Sequence, residues 1–194
     1  MTDKHFKLRE DLSITFLGRK LFRIEATKDI KKHNVKAGDI GGYIEKEDNL
    51  SGNAWVSGNA WVSGDAKVWG DAKVCGNAKV YGDAKVYGNA KVWGNAEVWG
   101  DAKVSGDAWV YGDAEVCGDT ISKSDDLYNI TSNSQYNITI LPHSIKIGCQ
   151  FHKKEDWWNF TDREIIEMDG KAALKWWRVW KPILQAICEV QNDR

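Results

Sequence analysis

Residues 64 to 92 read GDAKVWGDAKVCGNAKVYGDAKVYGNAKV, which is nearly the same six letters five times over. A period of six cannot keep the valines on one side of an α-helix, because 3.6 residues per turn scatter them around the cylinder. It suits a parallel β-solenoid, in which each hexad supplies one short strand and one corner. In such a strand valine points inward, and the residues on either side of it point outward.

The hexad x-Gly-Asp/Asn-Ala-x-Val occurs twelve times between Ser51 and Ser122, the last copy being the degenerate CGDTIS. We expect Asp or Asn to adopt the left-handed backbone conformation at each corner, with glycine relieving crowding and alanine filling the inside. With three hexads per turn, twelve hexads form about four coils, and the prism is about 19 Å long at about 4.8 Å per coil. The chain is therefore predicted to be mainly β, with a left-handed parallel β-helix at its centre.

Segments of different composition flank the repeat and divide the chain into residues 1–49, 50–122 and 123–194. The first segment contains SITFLGRKLFRIEAT, two runs of alternating apolar and polar residues around Gly18-Arg19, which predict a β-hairpin. A glycine-rich stretch follows, with single aliphatic residues between its turns. Together they predict an N-terminal β cap on the solenoid.

The third segment abandons the period and predicts a small α+β cap. YNITI, LPHS and IKIGC indicate a hairpin over Tyr136 to Cys149. Thr161 and Glu164 have the spacing of a capping box, which marks the start of a helix. An amphipathic helix kinked at Pro182 follows. Its apolar positions are Ala173, Trp177, Trp180, Leu184 and Ile187. We expect this segment to cover the open end of the solenoid, where strand edges would otherwise be exposed.

The composition limits the cellular compartment and the kinds of partner that we expect. Hydrophobic residues make up 42% of the chain, enough for a core, and the formal net charge of -1 argues against general coating of nucleic acid. The four cysteines form no closely spaced framework, and the N-terminus lacks the apolar stretch of a secretion signal. We therefore expect free thiols in a cytoplasmic protein. No apolar run approaches the roughly 20 residues that span a bilayer, so no membrane partner is expected.

Residues at the same hexad position in successive coils stack on one another in this fold, so the outward side chains form three faces. The first face carries Trp55, Ser57, Lys73, Cys75, Lys91, Trp93, Trp109 and Tyr111. The second face carries Trp61, Ser63, Lys79, Tyr81, Glu97, Trp99, Glu115 and Cys117. The third face carries Lys67, Trp69, Lys85, Tyr87, Lys103 and Ser105. The candidate binding residues are Lys67, Trp69, Tyr81, Lys85, Tyr87, Trp93, Trp99, Lys103 and Tyr111.

The third face allows two interpretations. Lysines beside aromatic rings can bind an anionic partner, because the ammonium groups supply charge and the rings stack on bases or nucleotides. Alternatively, an exposed β-surface simply favours aromatic residues, and lysine keeps it soluble. The aromatic side chains on all three faces also favour self-association or the docking of a protein partner.

Two further groups have the composition of metal or catalytic sites. One is a predicted column of stacked carboxylates, Asp65, Asp83, Asp101 and Asp119. Carboxylates on one side supply too few ligands for Ca²⁺, so we interpret these residues as turn formers. Cys149 and His152 have the spacing of half a zinc site, or of a nucleophile and its base, but no second pair matches them. We interpret Cys149 as a small core residue and predict no metal site.

A resemblance to a known family rests on VKAGDIGGYIEKEDNLSGNAWVSGNAWV, residues 35 to 62. This stretch resembles the opening of YdcK-like hexapeptide-repeat proteins, and the resemblance covers about residues 20 to 122. It implies the solenoid architecture and a phage or prophage origin. Because hexapeptide-repeat proteins often form trimers, it also implies a homotrimer as the first oligomer to test.

Many proteins of this fold are acyltransferases that use a histidine base on an acyl-CoA lying between subunits. The hexads of this chain contain no histidine, and its four histidines, His5, His33, His143 and His152, lie outside the repeat. The resemblance therefore carries over no catalytic residue. We expect no cofactor, and acetyl-CoA only under the acyltransferase alternative.

The main hypothesis is a non-enzymatic β-solenoid that acts as a binding or scaffold protein. It would dock a host macromolecule, or further copies of itself, through the aromatic and lysine faces. One alternative is an acetyltransferase of the hexapeptide class. Another is a nucleotide- or nucleic-acid-binding module that uses the third face.

Overall fold

A computed structural model describes residues 4–16, 18–130 and 135–192 of the chain. The fold is mainly β, with a parallel β-solenoid of about four coils, N-terminal strands and a C-terminal segment of strands and helices, which confirms the predicted fold class. The chain divides after Ser124 into two compact units. The first unit contains the N-terminal strands and the solenoid. The second contains a small sheet and the helices.

Each hexad forms one short strand, and the strands of the first nine hexads each pair in parallel with the strand three hexads later, as at Lys67 with Lys85 and Val68 with Val86. Backbone amides of one coil donate to carbonyls of the next, for example Lys67 N to Ala84 O at 2.9 Å. The strands are β4 (Trp55–Val56), β5 (Trp61–Val62), β6 (Lys67–Val68), β7 (Lys73–Val74), β8 (Lys79–Val80), β9 (Lys85–Val86), β10 (Lys91–Val92), β11 (Glu97–Trp99), β12 (Lys103–Val104), β13 (Trp109–Val110), β14 (Glu115–Cys117) and β15 (Thr120–Ile121).

Valine and alanine fill the interior of the solenoid. Every repeat valine from Val56 to Val116 and every repeat alanine from Ala54 to Ala114 is fully buried. Burying a valine side chain contributes roughly 1.5 kcal/mol or more, so the regular column is a large source of stability for this unit. The inward assignments made from the repeat valines and alanines are therefore confirmed.

The corners differ from the expectation. The left-handed residue is the glycine of each hexad, as at Gly76 with φ +74°, whereas no repeat Asp or Asn has a positive φ. A Cβ on Gly76 would lie 3.0 Å from the carbonyl oxygen of Gly94 in the next coil. Glycine is therefore required for two reasons. Any other residue would strain the left-handed backbone, and its side chain would also collide with the neighbouring coil. The assignment of the left-handed conformation to Asp and Asn was wrong.

The predicted N-terminal hairpin is confirmed as β1 (Phe6–Phe16) and β2 (Arg19–Ala26), which pair antiparallel, and β2 pairs with β3 (Ile40–Ile44). Short 3-10 turns lie at Lys31–His33 and Glu47–Asn49. Strand β3 then pairs in parallel with β5, placing Ile44 beside Val62, and Leu50 bridges to Val68. The register of the coils therefore begins before the first hexad, and β1, β2 and β3 extend one sheet of the solenoid.

The last hexad is one residue short. Val104 pairs with Ile121, whereas an intact final hexad would place its inward residue one position later, as Val86 and Val104 are placed in their coils. The missing position is the corner alanine, and the carbonyl of Asp119 accepts the amide of Lys103 where an alanine carbonyl does so in other coils. Asp119 is buried, at 5% exposure. The predicted carboxylate column therefore contains Asp65, Asp83 and Asp101 but not Asp119.

The second unit contains a four-stranded antiparallel sheet of β16 (Tyr128–Ile130), β17 (Ile138–Ile140), β18 (Ser144–Ile147) and β19 (Gln150–Lys153). Strands β17 and β18 confirm the predicted hairpin, and the sheet extends it on both sides. A 3-10 turn at Ser124–Asp126 precedes the sheet. The helices are α1 (Lys154–Asn159) and α2 (Asp162–Asn192).

Helix α2 begins at the predicted capping box. The amide of Thr161 donates to Glu164 Oε2 at 2.8 Å, and the amide of Glu164 donates to Thr161 Oγ1 at 3.3 Å. The backbone leaves helical geometry at Asp169 and Gly170, and Pro182 lies inside the following helical run. Gly170, at φ +75°, therefore separates the helix that begins at the capping box from the predicted amphipathic helix, in which a kink at Pro182 stays a prediction.

The core of the second unit lies between the sheet and the helices. Its buried members are Ile138, Ile140, Ile145, Ile147, Trp157, Ile165, Ala173, Trp177, Leu184 and Cys188. Of the predicted helix positions, Ala173, Trp177 and Leu184 are buried, while Trp180 and Ile187 pack against the core and are partly exposed. The predicted amphipathic character of this helix is thus confirmed.

Candidate functional site

The in-register strands place outward side chains of the same hexad position directly above one another. The first face lies on β4, β7, β10 and β13, the second on β5, β8, β11 and β14, and the third on β6, β9, β12 and β15. Because each face rests on a hydrogen-bonded sheet over a fully buried column, its side chains are held on a rigid support. The three faces differ in exposure and in charge pairing.

The first face exposes the largest aromatic surface of the solenoid. Trp93, Trp109 and Tyr111 have exposures of 43%, 44% and 38%. The rings of Trp93 and Tyr111 stack with centroids 5.7 Å apart, and Lys91 Nζ lies 4.9 Å from the centre of the Trp109 ring. Trp93 and Tyr111 were predicted binding residues. Trp109 was assigned to this face but left out of the predicted set, although its stacking in register with Lys91 could have pointed to it.

Trp55 corrects the assignment of the first face. It occupies the same position in its hexad as Trp109, yet it is buried, at 2% exposure. The N-terminal strands cover it, and a Cβ on Gly41 would lie 2.8 Å from Trp55 Cζ2. A repeat pattern cannot distinguish these two tryptophans, because the difference arises from a segment outside the repeat.

His33 lies beside the first coil of the same face. Burial lowers the pKa of its imidazole below the usual range, and the positive charge of Lys73 lowers it further, against smaller raising effects of Asp71 and a bond to the Asn53 backbone. Its Nε2 is buried and has no hydrogen-bond partner among the described residues. His5 is also buried, and its Nε2 lies 2.8 Å from the carbonyl oxygen of Ala54. Both imidazoles therefore belong to the packing between the cap and the solenoid.

The second face carries a ladder of rings that is partly covered by the hairpin. Successive centroids of Phe16, Trp61, Tyr81 and Trp99 are 5.4, 5.5 and 6.2 Å apart. Tyr81 and Trp99, both predicted binding residues, are only partly exposed. Burial, with the nearby Glu97 carboxylate, raises the pKa of Tyr81 well above its usual range.

A salt bridge pairs two oppositely charged side chains on the second face. Lys79 Nζ lies 2.7 Å from Glu97 Oε1, and the Tyr81 hydroxyl donates to Glu97 Oε2 at 3.1 Å. The polar atoms at its centre are therefore paired with one another. This leaves the second face less available to a charged partner than the other two.

The third face brings together all five of its predicted binding residues. Lys67, Lys85 and Lys103 are exposed and stack in register, and none forms an ion pair with a described carboxylate. Trp69 and Tyr87 stack with centroids 4.5 Å apart and planes 5° apart. Asp65, Asp83 and Asp101 line the same shallow groove as the three lysines, so the net potential of this face is small.

The cysteines and histidines of the second unit do not form a metal centre. No group of three or more His, Cys, Asp or Glu residues within the described ranges could hold a metal ion. His152 packs its ring edge-on against Trp157 and Phe160, with centroids 5.2 and 5.0 Å away. Cys149 is exposed, which corrects the interpretation of Cys149 as a core residue, and the buried thiol of this unit is Cys188.

In comparisons with known proteins, no protein-family model matches the chain, and no curated protein matches it significantly. Across residues 4–16, 18–130 and 135–192, the helices are too short or too polar to cross a membrane. The first face combines exposed rings, a rigid sheet and lysines, and it is the strongest candidate.

Proposed function

We propose that this chain is a non-enzymatic β-solenoid binding protein whose first face docks a protein partner. The observation that carries the proposal is the exposure of Trp93, Trp109 and Tyr111 side by side on a rigid sheet. Tryptophan and tyrosine are the side chains that most often dominate the binding energy of protein interfaces. Exposed aromatic clusters of this kind mark surfaces that bind other molecules.

The rigidity of the sheet supports docking. Backbone bonds of about 2.9 Å tie strand β10 to strand β13, as from Trp93 N to Val110 O. The rings also restrain one another through the Trp93 and Tyr111 stack. A surface that is ordered before binding loses less conformational entropy when the partner arrives.

The charges of the first face indicate the chemistry of the partner. Its outward strand residues include Lys73 and Lys91, and none of them is a carboxylate. A partner that presents acidic side chains around an apolar patch would complement this pattern. Symmetric pairing of two copies through the same face would oppose lysine to lysine, which favours a different protein over a second copy of this chain.

Two finer points belong to the proposal. A phage or prophage origin, with a host protein as the partner, rests on the family resemblance of residues 35 to 62. A cytoplasmic setting is supported by the four cysteines, all of which are free thiols. Neither point changes the surface that is proposed to bind.

The nucleic-acid alternative has a specific observation in its favour, the three unpaired lysines of the third face. However, the rings of Trp69 and Tyr87 on this face stack on each other, with centroids 4.5 Å apart. A base has no room between them. The acetyltransferase alternative has the fold in its favour, but two of its candidate bases, His5 and His33, are packed between the cap and the solenoid.

The full chain serves as the bait that captures its partner from a lysate of the source cells. Quantitative mass spectrometry measures how much partner is recovered. Trp93→Ser combined with Trp109→Ser is compared with Trp69→Ser combined with Tyr87→Ser on the third face. We expect the first pair to abolish recovery of the partner and the second pair to preserve it. If the first pair of substitutions leaves partner recovery intact, while Lys85→Glu or high salt removes it, the binding site lies on the third face and the ligand is anionic.

Native mass spectrometry of the purified chain, with and without acetyl-CoA, separates the remaining outcomes. Protein that binds no acetyl-CoA supports the proposal. A homotrimer that dissociates after the Trp93 and Trp109 substitutions would mean that the first face serves self-association instead of docking. Stoichiometric uptake and turnover of acetyl-CoA would mean that the chain is an acetyltransferase.

A further inference from the structure

Helix α2 carries a second apolar strip besides the side that packs in the core. We call it the outer strip, and its members are Val179, Ile183, Ala186 and Val190. All four are exposed, and the exposures of Val179, Ile183 and Val190 are 62%, 43% and 50%. At about 100° per residue, the centre of the outer strip lies about 140° around the helix from the buried residues of α2. The outer strip is therefore a surface separate from the core.

The outer strip has the spacing of a coiled-coil seam. Its members follow one another at intervals of four, three and four residues, which is the a/d pattern of a heptad repeat. Ile183 and Val190 fall at a positions, and Val179 and Ala186 fall at d positions. In this pattern each side chain enters a hole between four residues of a facing helix. The surface therefore has the shape that another helix fits.

The outer strip is complementary to itself when a second copy runs antiparallel. A two-fold axis through its middle places Ile183 of one copy opposite Ala186 of the other, a large side chain against a small one. The same axis places Val179 opposite Val190. Each contact occurs twice, as in other interfaces built on two-fold symmetry.

Charges beside the outer strip select the same arrangement. Lys175 and Glu189 fall at g positions, whose charges set the orientation of paired helices. Both are exposed, and neither forms an ion pair with another described residue. In the antiparallel pair Lys175 of each copy lies beside Glu189 of the other, whereas a parallel pair would place Lys175 beside Trp180. The two residues lie about 21 Å apart along one helix, so they cannot pair within a chain.

The surroundings of the outer strip also suit a helix. A shallow apolar groove lies beside it, lined by Tyr128, Pro182, Ile183, Ala186, Ile187 and Val190. The opposite side of α2 is packed in the core of its unit, so the helix is formed before any partner arrives. Association therefore requires little further ordering of the backbone.

We propose that two copies of this chain pair antiparallel through the outer strip of helix α2, with Lys175 and Glu189 forming an ion pair at each end. The contact spans only about two heptads, so we expect a weak dimer with a Kd of about 10 μM. The outer strip shares no residue with the first face of the solenoid. This pairing and the proposed docking of a protein partner are therefore independent.

Sedimentation velocity of the full chain tests the pairing. We expect mainly dimer at about 100 μM and mainly monomer at about 1 μM. Ile183→Glu places a carboxylate in the middle of the outer strip and should give a monomer at both concentrations. Leu12→Glu makes a similar change at an exposed apolar residue of strand β1 and should leave the dimer intact. A monomeric unmodified chain at the higher concentration, or a dimer that survives Ile183→Glu, would overturn the proposal.

Charge reversal tests the antiparallel arrangement at exposed positions, where the fold tolerates substitution. Lys175→Glu and Glu189→Lys should each weaken the dimer about tenfold, because each replaces two ion pairs with two like-charge contacts. The two substitutions together should restore the dimer. If the double variant dimerises no more tightly than the single variants, the copies are not antiparallel in this register.

A last variant separates this dimer from self-association through the solenoid. Trp93→Ser combined with Trp109→Ser removes the exposed tryptophans of the first face and should leave the dimer unchanged. Loss of the dimer in this variant, with retention after Ile183→Glu, would assign self-association to the first face and overturn the pairing through α2.

Discussion

The side-chain amide of Asn95 donates a 2.9 Å hydrogen bond to the carboxylate of Asp113, one coil further along the solenoid. The same bond recurs down this corner, from Asn77 to Asn95 at 3.1 Å and from Asn59 to Asn77 at 3.4 Å. An amide can donate and accept at once, whereas a carboxylate can only accept. The ladder therefore ends where its one carboxylate lies.

Asn95→Asp should destabilise the solenoid by about 1 kcal/mol at neutral pH, because it replaces a hydrogen bond with two adjacent carboxylates. Asn59→Asp makes the same change of charge but faces an amide, so its loss should be smaller. Urea denaturation at pH 7 and pH 3 measures both. The deficit of Asn95→Asp should shrink at pH 3, where carboxylates are protonated. Equal deficits for the two variants at both pH values would contradict the ladder.

Gly76→Ala should be more destabilising than Gly38→Ala. Both glycines have a left-handed backbone, with φ +74° and φ +92°, so each variant carries the conformational cost of about 1 kcal/mol. A Cβ at Gly38 meets nothing within 4 Å, whereas one at Gly76 lies 3.0 Å from a carbonyl oxygen of the next coil. Overpacking there should add about 1 to 3 kcal/mol. Thermal melts of the two variants check the difference, and identical melting temperatures would show that the coils can separate freely.

Trp55→Ala and Trp109→Ala change the same hexad position three coils apart. Trp55 is 2% exposed and Trp109 is 44% exposed. We expect the first substitution to cost about 3 to 5 kcal/mol, as for other buried tryptophans, and the second less than about 1 kcal/mol. The free energy of unfolding from urea titrations provides the comparison. Similar losses would mean that the N-terminal strands do not cover Trp55 in solution.

His33 should make the first unit less stable in mild acid. Burial and Lys73 hold the pKa of its imidazole below the ordinary value of 6.5, so the unfolded chain binds a proton that the folded chain does not. Stability from this group is present above pH 6.5 and is lost as the pH falls below it. His33→Gln should therefore show a smaller decrease in melting temperature between pH 7.5 and pH 5.5 than the unmodified chain. An equal decrease in His33→Gln and in the unmodified chain would contradict this role of His33.

The central fold could be predicted because the same hexad pattern recurs in every coil. Val86 and Ala84 occupy the same hexad positions as their counterparts in the other coils, and all are fully buried as expected. The earlier start of the register was missed because Tyr43 and Leu50 lack the Gly-Asp/Asn-Ala corner. The regular hexad spacing of Ile44, Leu50 and Val56 was the available signal.

The candidate site could be predicted only in part. Stacking of successive coils placed Trp93 and Tyr111 on one face, and the structure shows them in ring contact. Which face stays exposed depends on contacts between distant segments, such as Gly41 with Trp55 and Phe16 with Trp61. Such contacts leave no periodic trace in a sequence. The same holds for Tyr136 and Asp169, whose bond joins a strand-flanking loop to a distant helix.

The pairing of each strand with the strand three hexads later also restricts how such a gene can change length by duplication. Copying one hexad would turn every later outward side chain by a third of a turn and transfer Trp93 and Trp109 to another side of the prism. Copying three hexads adds a full coil and returns each later residue to its original side. Inherited insertions that preserve the binding surface are therefore expected in steps of a whole coil.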